Sequence, residues 1–238
     1  MSLNIVIIGG VAGGMSAATR ARRMNESAHI TVLEKGGFVS FANCGMPYYL
    51  GGEIKDEAKL LVATPQRLAE RYGLDVRVGH EATRIDRAKR QVEVIDHGSG
   101  RSLALSYDKL ILATGAEPIV PPIDHVRAAN VMLLRSMEDT QQAERYLRGR
   151  APRRVAIVGA GFIGLEMAEA MRHRGLEVTL IEKARQVLPP LDEEMARLVQ
   201  LELERGGVSV ITAAGLKALH ARDGLAEEVE LDDGRRVG

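Results

Sequence analysis

The sequence predicts an α/β fold in which two similar three-layer units follow one another along the chain. Each unit begins with a short β-branched strand that leads into a glycine-rich turn, at residues 9–14 in the first unit and 159–164 in the second. A helical pattern and a second apolar strand come after each turn, and these second strands end at Glu34 and Glu182. Strands that alternate with helices are typical of parallel sheets with helices on their faces.

The first half of the chain supplies the elements of one such unit. Residues 4–8 and 29–33 are predicted to be buried parallel strands, with a helix at 15–24 between them. Periodicity and turn residues predict the rest of this half in the following order: an aperiodic stretch at 36–52, a helix at 64–72, antiparallel strands at 76–84 and 91–96, a buried strand at 110–113, and a proline-rich linker at 116–124.

The second half repeats the opening pattern from Arg154 onward. Its predicted elements are a helix at 137–147, a strand at 155–158, a helix at 165–174, a strand at 177–181, a helix at 192–204, a strand at 208–211 and a β-meander at 216–237. A repeat of this length is too long for a solenoid. We therefore predict two tandem domains, at 1–120 and 121–238.

The two glycine-rich turns have the pattern of dinucleotide-binding sites. A strand that passes through glycines into a helix presents backbone N–H groups at the positive end of that helix, which suits a pyrophosphate. The second turn has the complete set of glycines, at positions 159, 161 and 164, whereas Val11 stands at the middle position of the first turn. We therefore expect both domains to be Rossmann-like.

The acids at the ends of the second strands fit the same interpretation. Glu34 and Glu182 stand where a carboxylate accepts hydrogen bonds from a ribose. A carboxylate at position 182 would also repel a 2′-phosphate, so we expect NADH, although the neighbouring Lys183 and Arg185 leave NADPH open as an alternative.

Cys44 is the only cysteine of the chain, which excludes an intrachain disulfide and a zinc site built from several cysteines. A lone cysteine is commonly a small buried hydrophobe. Here it lies in an aperiodic, glycine-bounded segment that would be poor core material. A cysteine at the start of a helix, near hydrogen-bond donors, ionises readily and is then a competent nucleophile. We therefore predict a reactive thiol.

The segment around Cys44 resembles a known active site. Residues 40–52, with the sequence SFANCGMPYYLGG, are similar to the active-site segment of the coenzyme A disulfide reductases. These enzymes belong to the single-cysteine class of pyridine nucleotide-disulfide oxidoreductases, together with NADH oxidases and NADH peroxidases. The turn GGVAGG at 9–14, the sequence ATGAEP at 113–118 and the turn at 159–166 also match this class, so the resemblance covers the whole chain.

The resemblance implies two cofactors, FAD on the first domain and a reduced nicotinamide nucleotide on the second, with electrons passing through the flavin to Cys44. It assigns to FAD the residues Gly9, Gly10, Ala12, Gly13, Gly14, Glu34, Lys35, Ala113, Thr114 and Gly115. It assigns to the nicotinamide nucleotide the residues Gly159, Gly161, Phe162, Ile163, Gly164, Glu166 and Glu182. Phe162 is similar to the aromatic residue that covers the flavin in these enzymes.

The resemblance also implies that Cys44 forms a mixed disulfide with coenzyme A. The residues that match its coenzyme A contacts are Ser16, Arg20, Arg23, Ser40 and Asn43, with Arg22 and Arg71 as weaker additions. The first three share one helix face by their spacing, and the alternative for them is an ordinary solvated basic face.

The sequence departs from this family near its end. It contains no Gly-Asp pair, with which family members contact FAD, and neither the last strand of the nicotinamide domain nor the C-terminal dimerisation domain is recognisable. We therefore expect each domain to be incomplete at its C-terminal end and the chain to be part of a longer protein, itself a homodimer.

Composition excludes several other functions. The formal net charge is zero, so we expect no attraction to nucleic acid or anionic membranes. No apolar run approaches the roughly 18 residues of a membrane span, and no histidines have the spacing of metal ligands, so we expect a cytoplasmic protein without a metal.

The leading hypothesis is an NADH-dependent flavoprotein that reduces coenzyme A disulfide, or a related persulfide or polysulfide, through Cys44. The first alternative is an NADH oxidase or peroxidase in which Cys44 cycles through a sulfenic acid. The alternative from another class is a nucleotide-binding fragment without catalytic activity.

Overall fold

The computed structural model describes residues 2–238. In chain order its helices and strands are β1 (Asn4–Ile8), α1 (Ala12–Met24), β2 (His29–Glu34), α2 (Met46–Gly51), α3 (Pro65–Tyr72), β3 (Asp75–Val78), β4 (His80–Asp86), β5 (Gln91–Asp96), β6 (Arg101–Ser106), β7 (Lys109–Leu112), α4 (Met137–Arg150), β8 (Arg154–Val158), α5 (Phe162–His173), β9 (Glu177–Ile181), α6 (Glu193–Arg205), β10 (Val208–Ile211), β11 (Leu216–Arg222), β12 (Leu225–Leu231) and β13 (Arg236–Val237). Short 3₁₀ turns lie at Asn43–Gly45 and Glu57–Leu60.

The chain divides into two compact units. The first contains the residues up to Asn43 together with Ala58–Glu117, and the second contains Cys44–Glu57 together with Pro118–Gly238. The segment Cys44–Glu57, which the sequence placed inside the range 1–120, therefore groups with the second unit. Sequence periodicity cannot predict that this segment belongs to the second unit, because the residues that contact it are distant in sequence.

The first unit is built on a parallel sheet. Its strands have the order β3-β2-β1-β7, and β1 pairs in parallel with both β2 and β7. These strands are buried because they are runs of β-branched and aliphatic residues, and Ile7, Ile30 and Val32 have no exposed surface. Met15 and Ala18 of α1 and Leu68 of α3 pack against the same core.

One strand prediction in the first unit is wrong. The sequence predicts a single strand at 76–84, but the chain turns at Gly79, where φ is +66°. The residues before this turn form β3, which runs parallel to β2, and those after it form β4, which runs antiparallel to β5. The segment 76–84, predicted as one strand, is therefore divided between two sheets. The third strand of this meander, β6, was also not predicted.

The second unit repeats the parallel arrangement with the strand order β10-β9-β8. The predicted strands at 177–181 and 208–211 agree with β9 and β10, and the predicted meander at 216–237 is confirmed as β11, β12 and β13. The α/β class with parallel sheets is thus confirmed in both units. Among the helices described between residues 2 and 238, none combines the length and apolar character that a bilayer span requires.

Candidate nucleotide and thiol sites

The turn between β1 and α1 accepts only glycine at two positions. Gly9 has a φ of +102°, and a Cβ added to it would lie 2.1 Å from the carbonyl oxygen of Ala113. A Cβ on Gly14 would lie 1.7 Å from the carbonyl oxygen of Gly9. Both distances are far inside van der Waals contact, so the strand, the turn and the helix can pack this closely only because these side chains are absent.

The turn between β8 and α5 has the same geometry. Gly159 has a φ of +105°, and a Cβ on Gly164 would lie 1.9 Å from the carbonyl oxygen of Gly159. The middle position of both turns is the residue before the helix, and neither residue there has a positive φ: Val11 has −96° and Gly161 has −78°. The backbone therefore tolerates a valine at position 11, which explains the incomplete first fingerprint.

The helices α1 and α5 both begin without a protein cap. In the part of the chain that the structure describes, no side chain caps either helix, and neither has an acidic residue in its first turn. Helix α4 shows the contrast, because Ser136 and Asp139 close its start with a reciprocal capping box. Uncapped N–H groups at the positive end of a helix are suited to an anionic ligand.

A fixed carboxylate stands beside each turn. Glu34 accepts hydrogen bonds from the backbone N–H groups of Gly10 at 2.8 Å and Gly36 at 2.9 Å. In the second unit, Glu182 accepts bonds from Ala160 at 2.7 Å and from the N–H of residue 184 at 2.8 Å. Each carboxylate is thereby held at the end of its strand and keeps oxygen lone pairs for ribose hydroxyls. Both turns therefore fit a dinucleotide.

The remaining residues assigned to FAD lie in the first unit. Ala113 follows β7 and lies against the turn. Its carbonyl oxygen occupies the space that a Cβ on Gly9 would need, and its Cβ is 3.6 Å from the position that a Cβ on Gly13 would take. Ala12 and Gly13 are exposed in the first turn of α1, and Thr114 and Gly115 are exposed beyond β7. The hydrogen bond with Glu117, at 3.1 Å, raises the pKa of Lys35 above its usual value.

The basic residues of α1 divide into two groups. Ser16, Arg20 and Arg23 are exposed, as a ligand-contacting or solvated face would be. Arg22 instead donates hydrogen bonds to four backbone carbonyl groups, those of residues 26, 28, 72 and 73. These bonds give Arg22 a structural role, and its weaker assignment to coenzyme A stays a prediction. The guanidinium of Arg71 lies 5.4 Å from the ring centroid of Tyr72, as a cation–π pair.

The structure brings Ser40 to the first glycine turn. Its N–H donates a 2.9 Å hydrogen bond to the carbonyl oxygen of Gly10. Ser40 has a φ of +49°, and its own carbonyl oxygen accepts bonds from the N–H groups of Val62 and Ala63. Asn43 is half-buried at the end of the same stretch.

Cys44 is exposed, and the structure places it in the 3₁₀ turn Asn43–Gly45, directly before α2. The aperiodic stretch predicted at 36–52 therefore contains a short helix that the sequence did not predict. Cys44 therefore precedes a helix, and the reactivity of its thiol stays a prediction. The position excludes the alternative of an inert cysteine in the core.

In the second unit, Phe162 and Ile163 open α5 and are 64% and 60% exposed. Glu166 is half-buried one turn later. A cavity of about 2040 Å³ in this unit is lined by residues of the turn and of the strand end, among them Gly159, Gly161, Phe162 and Lys183. A Cβ added to Gly161 would have no described atom within 4 Å, so there is space for a ligand at the helix start.

Sequence patterns did not predict an ion-pair cluster that lies in the second unit. Arg174, just after α5, donates two hydrogen bonds to the buried carboxylate of Glu144 on α4 and one of 2.7 Å to the carbonyl oxygen of Leu50. Arg148 also donates to Glu144. Burial raises the pKa of Glu144, but the bonds from Arg174 and Arg148 more than reverse this effect and hold it below 4.5. Over residues 2–238, no His, Cys, Asp and Glu side chains gather into a group that could hold a metal ion.

Comparison with known proteins agrees with this geometry. Residues 3–238 match the family described as "Pyridine nucleotide-disulphide oxidoreductase". A relative named NADH oxidase, from Methanocaldococcus jannaschii, is 33% identical over 222 residues, which are 93% of this chain and 49% of the relative. A coenzyme A disulfide reductase from Staphylococcus epidermidis is 33% identical over 205 residues, which are 86% of this chain and 46% of that protein.

Two solved structures are similar over nearly the whole chain. The reduced CoADR-RHD of Bacillus anthracis has a TM-score of 0.95 and 41% identity, and the match covers 100% of this chain and 42% of that one. The NAD-dependent persulfide reductase of A. fulgidus has a TM-score of 0.93 and 37% identity, with 98% of this chain and 43% of that one covered. The chain spans about half the length of the curated relatives it matches.

Proposed function

Because this chain belongs to the pyridine nucleotide-disulphide oxidoreductase family, we propose that its protein is an NADH-dependent flavoprotein that reduces coenzyme A disulfide, or a related persulfide or polysulfide, at Cys44. One observation carries the proposal. The only cysteine is exposed at the start of a short helix, and each of the two glycine turns leads into a helix that no described side chain caps. The curated coenzyme A disulfide reductase and the persulfide reductase structure support this choice of substrate.

In this proposal the first unit holds FAD. The open start of α1 would receive the pyrophosphate, and Glu34 would accept hydrogen bonds from the ribose. Lys35 and the stretch from Ala113 to Gly115 would flank the nucleotide. FAD, when bound, supplies a two-electron relay between the reduced nicotinamide and the cysteine sulfur.

The second unit would hold the nicotinamide nucleotide. The start of α5 would receive its pyrophosphate, and Glu182 its adenosine ribose. The carboxylate of Glu182 is fixed by two backbone N–H groups, so it cannot turn away from a 2′-phosphate, which supports NADH over NADPH. Phe162 and Ile163 would border the nucleotide because they are exposed at the helix start.

Cys44 would carry out the exchange of sulfur bonds. Its thiolate attacks one sulfur of the substrate disulfide, a Cys44–sulfur bond forms, and the substrate S–S bond breaks. The first product leaves as a thiolate, which takes up one proton from solvent. Two electrons and one proton then release the second thiol and restore the Cys44 thiolate. The chain has no second cysteine that could compete for the mixed disulfide.

The anionic end of coenzyme A would be bound by the exposed Ser16, Arg20 and Arg23 of α1, with contributions from Ser40 and Asn43. We likewise propose that the full-length protein is a cytoplasmic homodimer, which the resemblance of the whole chain supports.

Replacement of Cys44 tests this function. In the full-length protein, Cys44→Ser should lower NADH-dependent release of thiol from coenzyme A disulfide at least about 100-fold, because a hydroxyl cannot replace the thiolate. Val62→Ser is a matched control, since it places a hydroxyl at an exposed apolar position of the first unit and should leave the rate unchanged. Undiminished turnover in Cys44→Ser would exclude the proposal.

The second candidate is an NADH oxidase or peroxidase that uses a Cys44 sulfenic acid. The similarity to the protein named NADH oxidase favours it. It requires NADH-dependent consumption of oxygen or peroxide that is faster than disulfide reduction under the same conditions. The ratio of these two rates in the purified full-length protein decides between the candidates.

A further inference from the structure

Helix α2, which follows Cys44, depends on tertiary contacts. It contains six residues, and so short a helix is unstable in isolation. Leu50 is 1% exposed, and a Cβ on Gly51 would lie 3.1 Å from the Cβ of Ala170 on α5. The two helices therefore pack in close contact within the second unit.

The C-terminal end of α2 is held by charge. The carbonyl oxygen of Leu50 is one of the last carbonyl groups of the helix, which have no partner within it, and the guanidinium of Arg174 donates to it at 2.7 Å. A cation at this end also interacts favourably with the partial negative charge of the helix dipole. The buried carboxylate of Glu144 fixes the guanidinium through two further hydrogen bonds.

The other end of the segment is also attached to α4. Gln141 donates a 2.6 Å hydrogen bond to the carboxylate of Glu57. Tyr49, the residue before Leu50, has its pKa raised by burial and by the nearby Glu57 and Glu144. The segment Cys44–Glu57 is thus held on α4 and α5, and only its first residues carry the exposed thiol.

We propose that Arg174 is a positioning residue for Cys44. Held by Glu144, it fixes the end of α2 on α5 and thereby sets the orientation of the cysteine at the other end of this helix. The inference rests on the proposed function only in that Cys44 is the reacting group. Arg174 acts through α2 and has no contact with the substrate in this scheme.

Arg148 provides a matched control. It is also an arginine and also donates to Glu144, but its side chain is 68% exposed. Among residues 2–238, Glu144 is its one hydrogen-bond acceptor, so Arg148 has no link to the α2 backbone. The comparison of Arg174→Met with Arg148→Met therefore separates the link to α2 from the pairing of Glu144. Each variant leaves Glu144 one arginine, which favours folding of both.

The first readout is amide hydrogen exchange in the full-length protein and requires no turnover. The N–H groups of residues 52–54 donate to the carbonyl groups of Tyr48 and Tyr49 and close the end of α2. In Arg174→Met their exchange should be about 10-fold faster than in Arg148→Met, which is the size expected when a hydrogen bond from a charged group is lost. Arg174→Lys keeps a charged donor and should give an intermediate rate.

The second readout is steady-state kinetics, measured per flavin bound. Arg174→Met should lower kcat for thiol release about 10-fold and leave the KM for NADH within about twofold, because the nucleotide turn is intact. Arg148→Met should change neither value. In the protein that remains folded, a general loss of stability would not lower kcat while leaving the KM for NADH unchanged.

The outcomes are distinct. Faster exchange at 52–54 together with the lower kcat supports the proposal. Equal exchange in the two methionine variants overturns it, and so does faster exchange with an unchanged kcat, since α2 would then be anchored without orienting Cys44. If Cys44→Ser remains active, the proposed function fails separately, and the exchange result still reports whether Arg174 holds α2.

Discussion

The carboxylate of Glu182 accepts a 2.7 Å hydrogen bond from the backbone N–H of Ala160, which connects the end of β9 to the glycine turn before α5. The first unit has the same connection between Glu34 and Gly10, at 2.8 Å. In both units the acid therefore orders the turn, and the ribose contact proposed for it would be a second role.

Replacement of Glu182 by Ala should weaken the proposed preference for NADH. The ratio of kcat/KM for NADH to kcat/KM for NADPH should fall at least about 10-fold, because charge-assisted hydrogen bonds to the ribose are lost and the repulsion of a 2′-phosphate disappears. Steady-state kinetics with both nucleotides measures this ratio. Glu177→Ala, at the start of the same strand, is the control, and an unchanged ratio in Glu182→Ala would contradict the assignment.

Replacement of Gly14 by Ala should destabilise the first unit. Its Cβ would lie 1.7 Å from a backbone oxygen, so β1, the turn or α1 must move, at a cost of about 3 kcal/mol in the free energy of unfolding. Urea unfolding followed by circular dichroism measures this cost.

Gly13→Ala is the matched control for this experiment. Its Cβ would meet only the Cβ of Ala113, at an ordinary 3.6 Å, and alanine is the better helix former. The substitution should be neutral or stabilise by up to about 1 kcal/mol. Equal unfolding curves for Gly13→Ala and Gly14→Ala would contradict the close approach.

Replacement of Phe162 by Ala should affect nucleotide kinetics and leave stability unchanged. The ring is 64% exposed, so its removal should change the free energy of unfolding by no more than about 0.5 kcal/mol. We expect the KM for NADH to change at least threefold, roughly the effect of a modest apolar contact with the ligand. Leu198→Ala, which removes a similarly exposed side chain on α6, should change neither quantity.

The β-meander of the second unit should respond to acid through Glu230. A hydrogen bond from Lys217 at 2.7 Å, together with one from His220, lowers the pKa of Glu230 from 4.5 to about 2. Because the pKa is lower in the folded state, this contribution to stability is complete above pH 4.5 and is lost as the pH falls toward 2.

The Glu230→Gln variant tests that pH dependence. Its unfolding free energy should depend less on pH between 4.5 and 2 than that of the unmodified protein. The control Glu228→Gln removes the charge of a side chain that is 45% exposed and paired with Arg236 at 3.3 Å, and this variant should keep most of the pH dependence. Identical pH profiles for both variants would contradict the assigned role of Glu230.

Local patterns predicted the framework of the fold well. The strands at 4–8, 177–181 and 208–211 agree with the structure residue for residue, because a short apolar run between turn residues determines a buried strand locally. The glycine turns could be located for the same reason. The roles assigned to their residues remain predictions.

Features that depend on distant residues could not be predicted. Arg22 resembles its basic neighbours in sequence, but only the folded chain brings the carbonyl groups of Tyr72 and Gly73 to its guanidinium. In the same way, nothing in the local pattern connects Leu50 to Arg174. Side-chain hydrogen bonds to backbone carbonyls leave no periodic trace in a sequence.

The membership of Cys44–Glu57 in the second unit has a practical consequence for dissecting this protein. A recombinant fragment that starts at Pro118 would lose the peptide that covers Ala170, and the Arg174 guanidinium would lose the Leu50 carbonyl as its acceptor. No single cut in the polypeptide separates the two units intact. An isolated second unit that keeps these contacts must contain residues 44–57 joined to residues 118–238, for example by circular permutation.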